Sequence, residues 1–544
     1  MNNLMNIARG GLSAAQLGIG VTGNNMANAF TEGYNRRTIV FGEAGGRANS
    51  YGFLGYGVQV NDINRAYDSF ITNQLHAEAK GYAALHGRAE QLGQIDKLFG
   101  DTDNNLGTTL DDLFKGFEGI SKDSSDLAAR QNVLSTLKSL SSQFRTSSNT
   151  LNNLEKNTDD KIKRSVDEVN TIARQLADLN KEISKITARE GKPPADLLDR
   201  RDVLLSEINQ HIGVKVRPNT DGSVDVTFGN GMTLVSGDKA NSLKLTASAA
   251  NPAQSTVSYI DAAGNEVALD ESKLTKGVLG GLFKFRNEDL AESRNQLNQL
   301  ALKMADRFNE ANRAGFDLDG NPGENLFDFD IAKAVNNRNN TGSAALALSY
   351  DSMKDIKAQD YTMTFSGGNW QVTRTADGVS VPATVNPDGS LSFDGITVGV
   401  TGTAAEGDSF QLNPTRGIAD TLSVSIDKAE QIAAADKPGE VGNNENIKKM
   451  IGIKDEKLIG NATLNDAYAS LVSSVGAANK NLDGELKTSG AIVKDLVNQQ
   501  QSVSGVDVNE EFVNLQMYQQ FYQANAQVLQ TANTLFDTLL RTVG

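Results

Sequence analysis

Both ends of this chain carry one kind of pattern, and it is the pattern that most restricts the fold. Near the start, Met5, Ala8, Leu12, Ala15, Ile19, Thr22, Met26 and Ala29 recur at alternating spacings of three and four. At the finish, Val508, Leu515, Tyr518, Tyr522, Leu529, Ala532, Phe536 and Leu539 follow heptad spacing. Such spacing lines one stripe of a helix with apolar groups and demands a partner helix. The first seam predicts a helix about 25 residues and roughly 38 Å long. Gly11 and Gly18 in it permit close approach but weaken the isolated helix by about 1 kcal/mol each relative to alanine. Residues 1–40 carry Arg9, Arg36 and Arg37 against Glu32, whereas 505–544 carry Asp507, Glu510, Glu511 and Asp537 against Arg541. Opposite charge favours pairing of the two ends with each other. A two-helix coil of this composition is marginal alone, so the seams also point to self-assembly.

Between the ends the periodicity changes character several times. Gly33 closes the first helix, and "RRTIVFGE" then alternates like a short strand, before Gly-rich loop and strand over 41–66. Helical spacing returns over 67–98, 106–120, 126–155 and most clearly 158–189, where "GKPP" stops it; 195–212 reads as one more helix. From about residue 213 the period becomes two, around the hairpin signals Asp221-Gly222 and Asn230-Gly231, and strands are expected to about 285. A helix over 287–313, a β-rich block over 348–412 and helices from 464 to the end complete the chain. The fold class expected is α+β multidomain: paired N- and C-terminal α-helices as a coiled coil, a central helical bundle and inserted β-rich outer domains. The corresponding domains are 1–45 with 503–544 (terminal coiled coil), 46–212 with 286–315 and 455–502 (helical, rod-like), 213–285 (β-rich) and 316–454 (β-rich outer domain).

Enzymatic chemistry finds no foothold. With no cysteine, disulfides, Cys-zinc sites and thiol catalysis are out of reach. Of the three histidines, His76 and His86 lie ten residues apart on a predicted helix, about 15 Å along its axis and too far for a shared metal. "DLDGNPGENLFD" (317–328) imitates a calcium loop but has Pro322 where glycine is needed and Asp328 where a bidentate glutamate belongs, so it reads as a tight polar turn. Trp370 in "SGGNWQVTR" reads as a packed strand residue. No catalytic residue, cofactor or metal ligand is therefore expected, and the protein is not expected to be an enzyme. A net charge of −15 argues against nucleic acid. No window approaches the apolar length of a membrane span, and the first twenty residues lack a secretory signal's apolar core and cleavage site.

"NNMANAFTEGYNRR" (24–37) resembles the N-terminal signature of the axial proteins of the bacterial flagellum, that is, rod, hook and hook-associated proteins. The tail "SVSGVDVNEEFVNLQMYQQFYQANAQVLQTANTLFDTLL" (502–540), with "DLLDRRDVLLSEIN" (196–209) and "GFDLDGNPGENLF" (315–327), is similar to the hook-associated branch at the hook–filament junction. The resemblance implies a structural protein in an eleven-protofilament axial assembly of its own copies, next to the hook protein and a second junction protein. It implies export through the flagellar type III apparatus without signal cleavage, a dedicated export chaperone on the tail, and an extracellular place in the flagellum with no membrane insertion. Met5, Leu12, Ala15, Ile19, Met26, Leu515, Tyr518, Tyr522, Leu529, Ala532, Phe536 and Leu539 are the expected assembly interface, with Leu515, Tyr522, Leu529 and Phe536 facing Leu12, Ile19 and Met26; Leu529 and Phe536 are also the expected chaperone contacts. Another axial protein, or a secreted adhesin-like protein, is the alternative.

Overall fold

In the computed structural model, residues 2–49, 52–101 and 105–543 are described; Tyr51, which opens the Gly-rich stretch, and the terminal Met1 and Gly544 lie outside them. The helices in chain order are α1 (Asn2–Ala27), α2 (Ser69–Phe99), α3 (Leu106–Lys122), α4 (Leu127–Glu190), α5 (Ala195–Ile212), α6 (Gly277–Lys284), α7 (Leu290–Arg313), α8 (Ile418–Thr421), α9 (Glu445–Gly452), α10 (Leu464–Ser504) and α11 (Val508–Val543). The chain divides into two compact units. The first holds residues 1–82, 168–242 and 487–544, and the second holds 83–167 and 243–486.

In place of the two helices expected over 126–155 and 158–189, α4 is one unbroken helix of 64 residues. The two expected helices leave out only the polar residues 156–157, and Thr158 continues the buried line of Leu151, Leu154 and Ile162. Its hydroxyl donates to the Leu154 carbonyl at 2.7 Å, so the hydroxyl is satisfied without breaking the helix. Residues 127–167 of α4 belong to the second unit and 168–190 to the first.

In the first unit, Ile172, Leu176, Leu179 and Ile183 of α4 and Leu197, Leu205 and Ile208 of α5 are buried. The strands β1 (Arg37–Glu43) and β4 (Val58–Arg65) form an antiparallel pair running from Arg37↔Arg65 to Glu43↔Val58, with a bulge at Val40/Phe41. Within its connection, β2 (Gly46–Asn49) and β3 (Gly52–Gly55) make a second small hairpin. A four-stranded meander follows α5: β5 (Val214–Pro218), β6 (Val224–Phe228), β7 (Met232–Ser236) and β8 (Lys239–Ala240), in that order across the sheet. Its turns fall at Gly222 and Gly231, with φ of +84° and +96°, which is why glycine stands there. Asn180 on α4 pins the sheet: its Nδ2 donates to the carbonyls of Val224 (2.8 Å) and Gly237 (2.9 Å), and its Oδ1 accepts from the Val224 amide (3.0 Å).

The second unit is built on α3, α7 and α9 around Phe114, Phe117, Phe308 and Phe327, whose rings lie 5.7–6.5 Å apart. Strands were expected to about 285, but the last strand there ends at Ala268 and "GVLGGLFK" is α6. A short apolar run looks alike as buried strand or buried helix. Gly281 decides it here, because a Cβ at that position would lie 2.0 Å from the Ala84 carbonyl of α2. A single wide turn over Phe285–Asp289 joins α6 to α7, and the buried Arg286 in it is paired with Asp159 (2.7 Å) and with Glu271.

The β-rich block consists of two antiparallel four-stranded sheets within 335–412. One has the order Val335–Asn336, Ser409–Leu412, Tyr361–Ser366, Asn369–Arg374, and the other Ala345–Tyr350, Ile396–Thr401, Leu391–Phe393, Thr384–Val385. Tyr361 meets Phe393 edge-on at 5.2 Å. Trp370 is a packed strand residue, edge-on to Phe365 (5.2 Å) and Phe410 (5.6 Å).

Lys303 of α7 is buried and donates to the Met353 carbonyl at 2.6 Å and to that of Lys354. Burial pulls its pKa down to about 8 from an ordinary 10.5, against the opposing effect of Asp355 and Asp306. Between those values the unfolded chain holds the proton and the folded chain has released it, so this group makes stability rise with pH. The expected outcome is that the denaturant midpoint of the native chain climbs relative to that of Lys303→Met as pH is taken from 8 to 10. Parallel pH profiles for the two proteins contradict it.

Candidate functional site

The seam at the start of the chain meets the seam at its end. A Cβ on Gly18 would fall 2.6 Å from the Tyr518 ring, and one on Gly11 would fall 2.2 Å from the Asn525 side chain. Seven residues up α1 thus correspond to seven residues down α11, so the two helices are antiparallel. Ala8, Gly11, Ala15, Gly18, Thr22 and Asn25 form the buried line of α1, and only small groups there let the backbones come this close. On α11, Leu515, Tyr518, Asn525 and Leu529 are half-buried and Ala532 is buried.

The β1–β4 ribbon also packs on α1. A Cβ on Gly10 would lie 2.7 Å from the Val58 carbonyl oxygen, and Gly57, with φ of +102°, passes over Ile7. Phe41 of β1 reaches Tyr518 at 6.2 Å between ring centroids. Asn25 clamps the entering strand: its Nδ2 donates to the Arg37 carbonyl (2.9 Å) and its Oδ1 accepts from the Arg37 amide (3.0 Å) and the Tyr34 hydroxyl (2.7 Å). The N-terminal signature is therefore a chain reversal held by side-chain bonds.

That reversal fastens two other parts of the chain. Asn35 donates to Asp199 of α5 at 2.7 Å, and Arg65 and Arg37 stand 3.2 and 3.6 Å from the same carboxylate. Arg65 also pairs with Asp202. Burial raises the Asp199 pKa, and the Asn35 hydrogen bond and the two arginines oppose it. Gly33 takes φ of +75° with Val203 of α5 where a side chain would be, so no other residue fits. Arg36 turns the other way, with Nε 2.8 Å from Glu511 and a terminal nitrogen 2.6 Å from Glu510. Its amide donates to the Ser504 carbonyl at 2.8 Å. Residues 505–507 break α10 from α11 at this point, and Asp507 restarts the helix by accepting from the Asn509 amide at 2.8 Å.

Of the residues singled out in the sequence, Ala15 and Ala532 are buried, Met5, Leu12, Ile19, Met26, Leu515, Tyr518 and Leu529 are half-buried, and Tyr522, Phe536 and Leu539 are exposed. The side of α11 turned from α1 holds a second line that the sequence reading passed over: Val513, Met517, Phe521, Val528 and Leu535, each 37–63% exposed. Its spacing of four and seven was the available signal. No charged residue occurs from 512 to 536, which is unusual for a helix in water.

Among the described residues, no group of three or more His, Asp or Glu side chains could hold a metal ion. Burial lowers the pKa of His76 and of His211. Asp317 spends its carboxylate on the amides of Asp319 (3.0 Å) and Asn321 (2.8 Å), which makes the calcium-like stretch a self-capped turn.

Comparison with known proteins follows the same map. Residues 92–327 match the model of the flagellar hook-associated protein FlgK helical domain, and 335–414 that of the flagellar hook-associated protein 1 D2-like domain. Residues 5–35 match the flagella basal body rod protein model, and 499–542 the flagellar basal body rod FlgEFG protein C-terminal model. Flagellar hook-associated protein 1 of Salmonella typhimurium is 40% identical over 551 residues, covering 99% of this chain and 100% of that protein. Its counterpart in Escherichia coli K12 is 38% identical over 544 residues, with the same coverage. The solved flagellar hook junction protein FlgK from Burkholderia pseudomallei shares the fold, with a TM-score of 0.74 over 79% of this chain and 100% of that one at 23% identity.

Losing the Arg36 guanidinium leaves Glu511, whose side chain is 3% exposed, as a buried charge without its cation. Breaking such a pair costs about 3–5 kcal/mol. Arg36→Ala is expected to speed amide exchange over 508–520 by at least about tenfold while exchange at 133–154 stays unchanged. Unchanged exchange at 508–520 contradicts this role for Arg36.

Proposed function

The chain belongs to the flagellar hook-associated protein 1 family, and we propose that its terminal helix pair is the element through which it builds its part of the flagellum. The protein is a structural component of the hook–filament junction. The observation that carries the assembly reading is the charge-free outer face of α11, with Val513, Met517, Phe521, Val528 and Leu535 in water. Apolar area at this spacing is a partner-helix surface, and neighbouring copies supply the partner. Met5, Leu12, Ile19 and Met26 on α1 and Tyr522, Phe536 and Leu539 on α11 keep enough exposure to join the same packing.

The wider setting is what the family resemblance implies. Copies stack in an eleven-protofilament axial zone with the hook protein on one side and the second junction protein on the other. The subunit passes unfolded through the flagellar type III apparatus and works outside the cell. Before export, an amphipathic tail with no copies around it is an aggregation hazard, and a dedicated chaperone with an apolar groove masks it. Phe536 is 42% exposed and available to such a groove, and Leu529 becomes available once the tail leaves α1.

Deleting 505–544 is expected to leave the second unit folded, with its cooperative thermal transition intact, while abolishing motility in a strain that lacks the native chain. A truncated chain that restores motility contradicts the assembly reading. Replacing Leu529 and Phe536 with Glu is expected to weaken chaperone capture of the 480–544 segment by at least about tenfold, since each change puts a charge into an apolar groove. Undiminished capture removes these two residues from the chaperone site.

A further inference from the structure

The hairpin between β6 and β7 turns on Gly229, Asn230 and Gly231, all three exposed. Asn230-Gly231 is the only place in the chain where asparagine precedes glycine. The two glycines take φ of +52° and +96°, the left-handed region that this tight turn needs. A Cβ on Gly231 would meet no atom within 4 Å, so this glycine serves the backbone conformation and not a close approach. Its nitrogen therefore has no side chain beside it, and the turn stands clear of other elements there.

The polar side chains of the preceding turn are tied down. One oxygen of Asp221 accepts from the Ser223 amide (3.0 Å) and hydroxyl (2.6 Å), and the other accepts from the Ser184 hydroxyl (2.8 Å). Asn219 donates to the Ser223 hydroxyl at 3.1 Å and is followed by the branched Thr220. Asn230 is the opposite case. Among the described residues its side-chain amide has no hydrogen-bond partner. The local restraint is the Gly231 amide, which donates to the Phe228 carbonyl at 3.1 Å in the exposed turn.

A free carboxamide next to an unhindered amide nitrogen is set up to react with it. We propose that Asn230 is a self-modification site, converting to aspartate and isoaspartate by attack of the Gly231 nitrogen on its side-chain carbonyl. The nitrogen loses its proton to solvent base and bonds to Cγ; the Cγ–Nδ2 bond breaks, and Nδ2 takes up a proton and leaves as ammonia. Water then opens the five-membered imide. Cleavage of the bond to Cγ leaves aspartate, whereas cleavage at the main-chain carbonyl leaves isoaspartate, with one more carbon in the backbone. Nothing is oxidised or reduced: one water enters, one ammonia leaves, and the turn gains a carboxylate.

The fold confines the consequence. Asn180 holds the opposite end of the hairpin, at Val224 and Gly237. Val224 is four residues from Phe228, roughly 13 Å along the strand, so a lengthened turn leaves this pin in place. Conversion marks the age of the chain without unfolding the first unit.

The test incubates the purified full chain at neutral and at mildly alkaline pH, digests timed samples with trypsin and follows the peptide 216–239 by mass spectrometry. That peptide holds both asparagines, because Pro218 protects the bond after Arg217. Fragment ions separate position 219 from position 230, and a purified isoaspartate methyltransferase labels the isoaspartate. The expected result is conversion of Asn230 at least about tenfold faster than Asn219, and faster at the higher pH, with the thermal transition unchanged. Asn230→Gln is expected to abolish the isoaspartate label in this peptide. Equal rates at the two asparagines overturn the proposal, as does conversion of Asn230 in urea but not in the native chain. A label that persists in Asn230→Gln places the reaction at an aspartate and overturns it too.

Discussion

The ion pairs of Arg36 with Glu510 and Glu511 are where the two ends of the chain become one element. Everything proposed for the protein depends on α11 lying along α1 in a fixed register, and that register starts here. The stripe of Ala8, Gly11, Ala15 and Gly18 allows the helices to approach closely, but small residues alone would tolerate a slip of one turn. A buried carboxylate does not, because a slipped Glu511 would lose its cation at a cost of several kcal/mol. The same chain reversal holds Asp199 of α5 through Asn35, Arg37 and Arg65. Register at the tip and attachment to the first unit are therefore one set of bonds.

The face this leaves outward is apolar and uncharged, which an isolated globular protein would avoid. A charged surface would add solubility, whereas neutral glutamines and asparagines between apolar positions add none of the like-charge repulsion that crowded copies would otherwise suffer.

Much of this was legible in the sequence, because periodicity reports local geometry. The terminal seams, the long stripe of α4 and the turns at Gly222 and Gly231 all express a spacing of a few residues, and the structure has helices and hairpins there. The misreadings share a cause. Residues 156–157 fell between two expected helices because polar residues in a seam count against a helix until the bond of Thr158 to the Leu154 carbonyl is seen. "GVLGGLFK" looked like strand because the reason for its glycines is the backbone of α2, nearly two hundred residues away. Of the candidate site, the pairing of the ends could be read from seam and charge, but the latch could not. Asn35 and Asp199 are 164 positions apart, and no periodicity relates them. The outward line of α11, Val513, Met517, Phe521, Val528 and Leu535, also escaped, because this helix carries two apolar lines and spacing alone does not rank them.

The most direct test compares amide hydrogen exchange over residues 2–45 and 508–543 in the purified chain and in isolated flagella, with residues 162–186 of α4 as the internal reference. A terminal pair completed by its neighbours is expected to exchange much faster than α4 in the purified chain and to approach its protection in the assembled state. Protection equal to that of α4 already in the purified chain, with no gain on assembly, would mean that the two ends form an ordinary self-contained pair and that copies meet elsewhere.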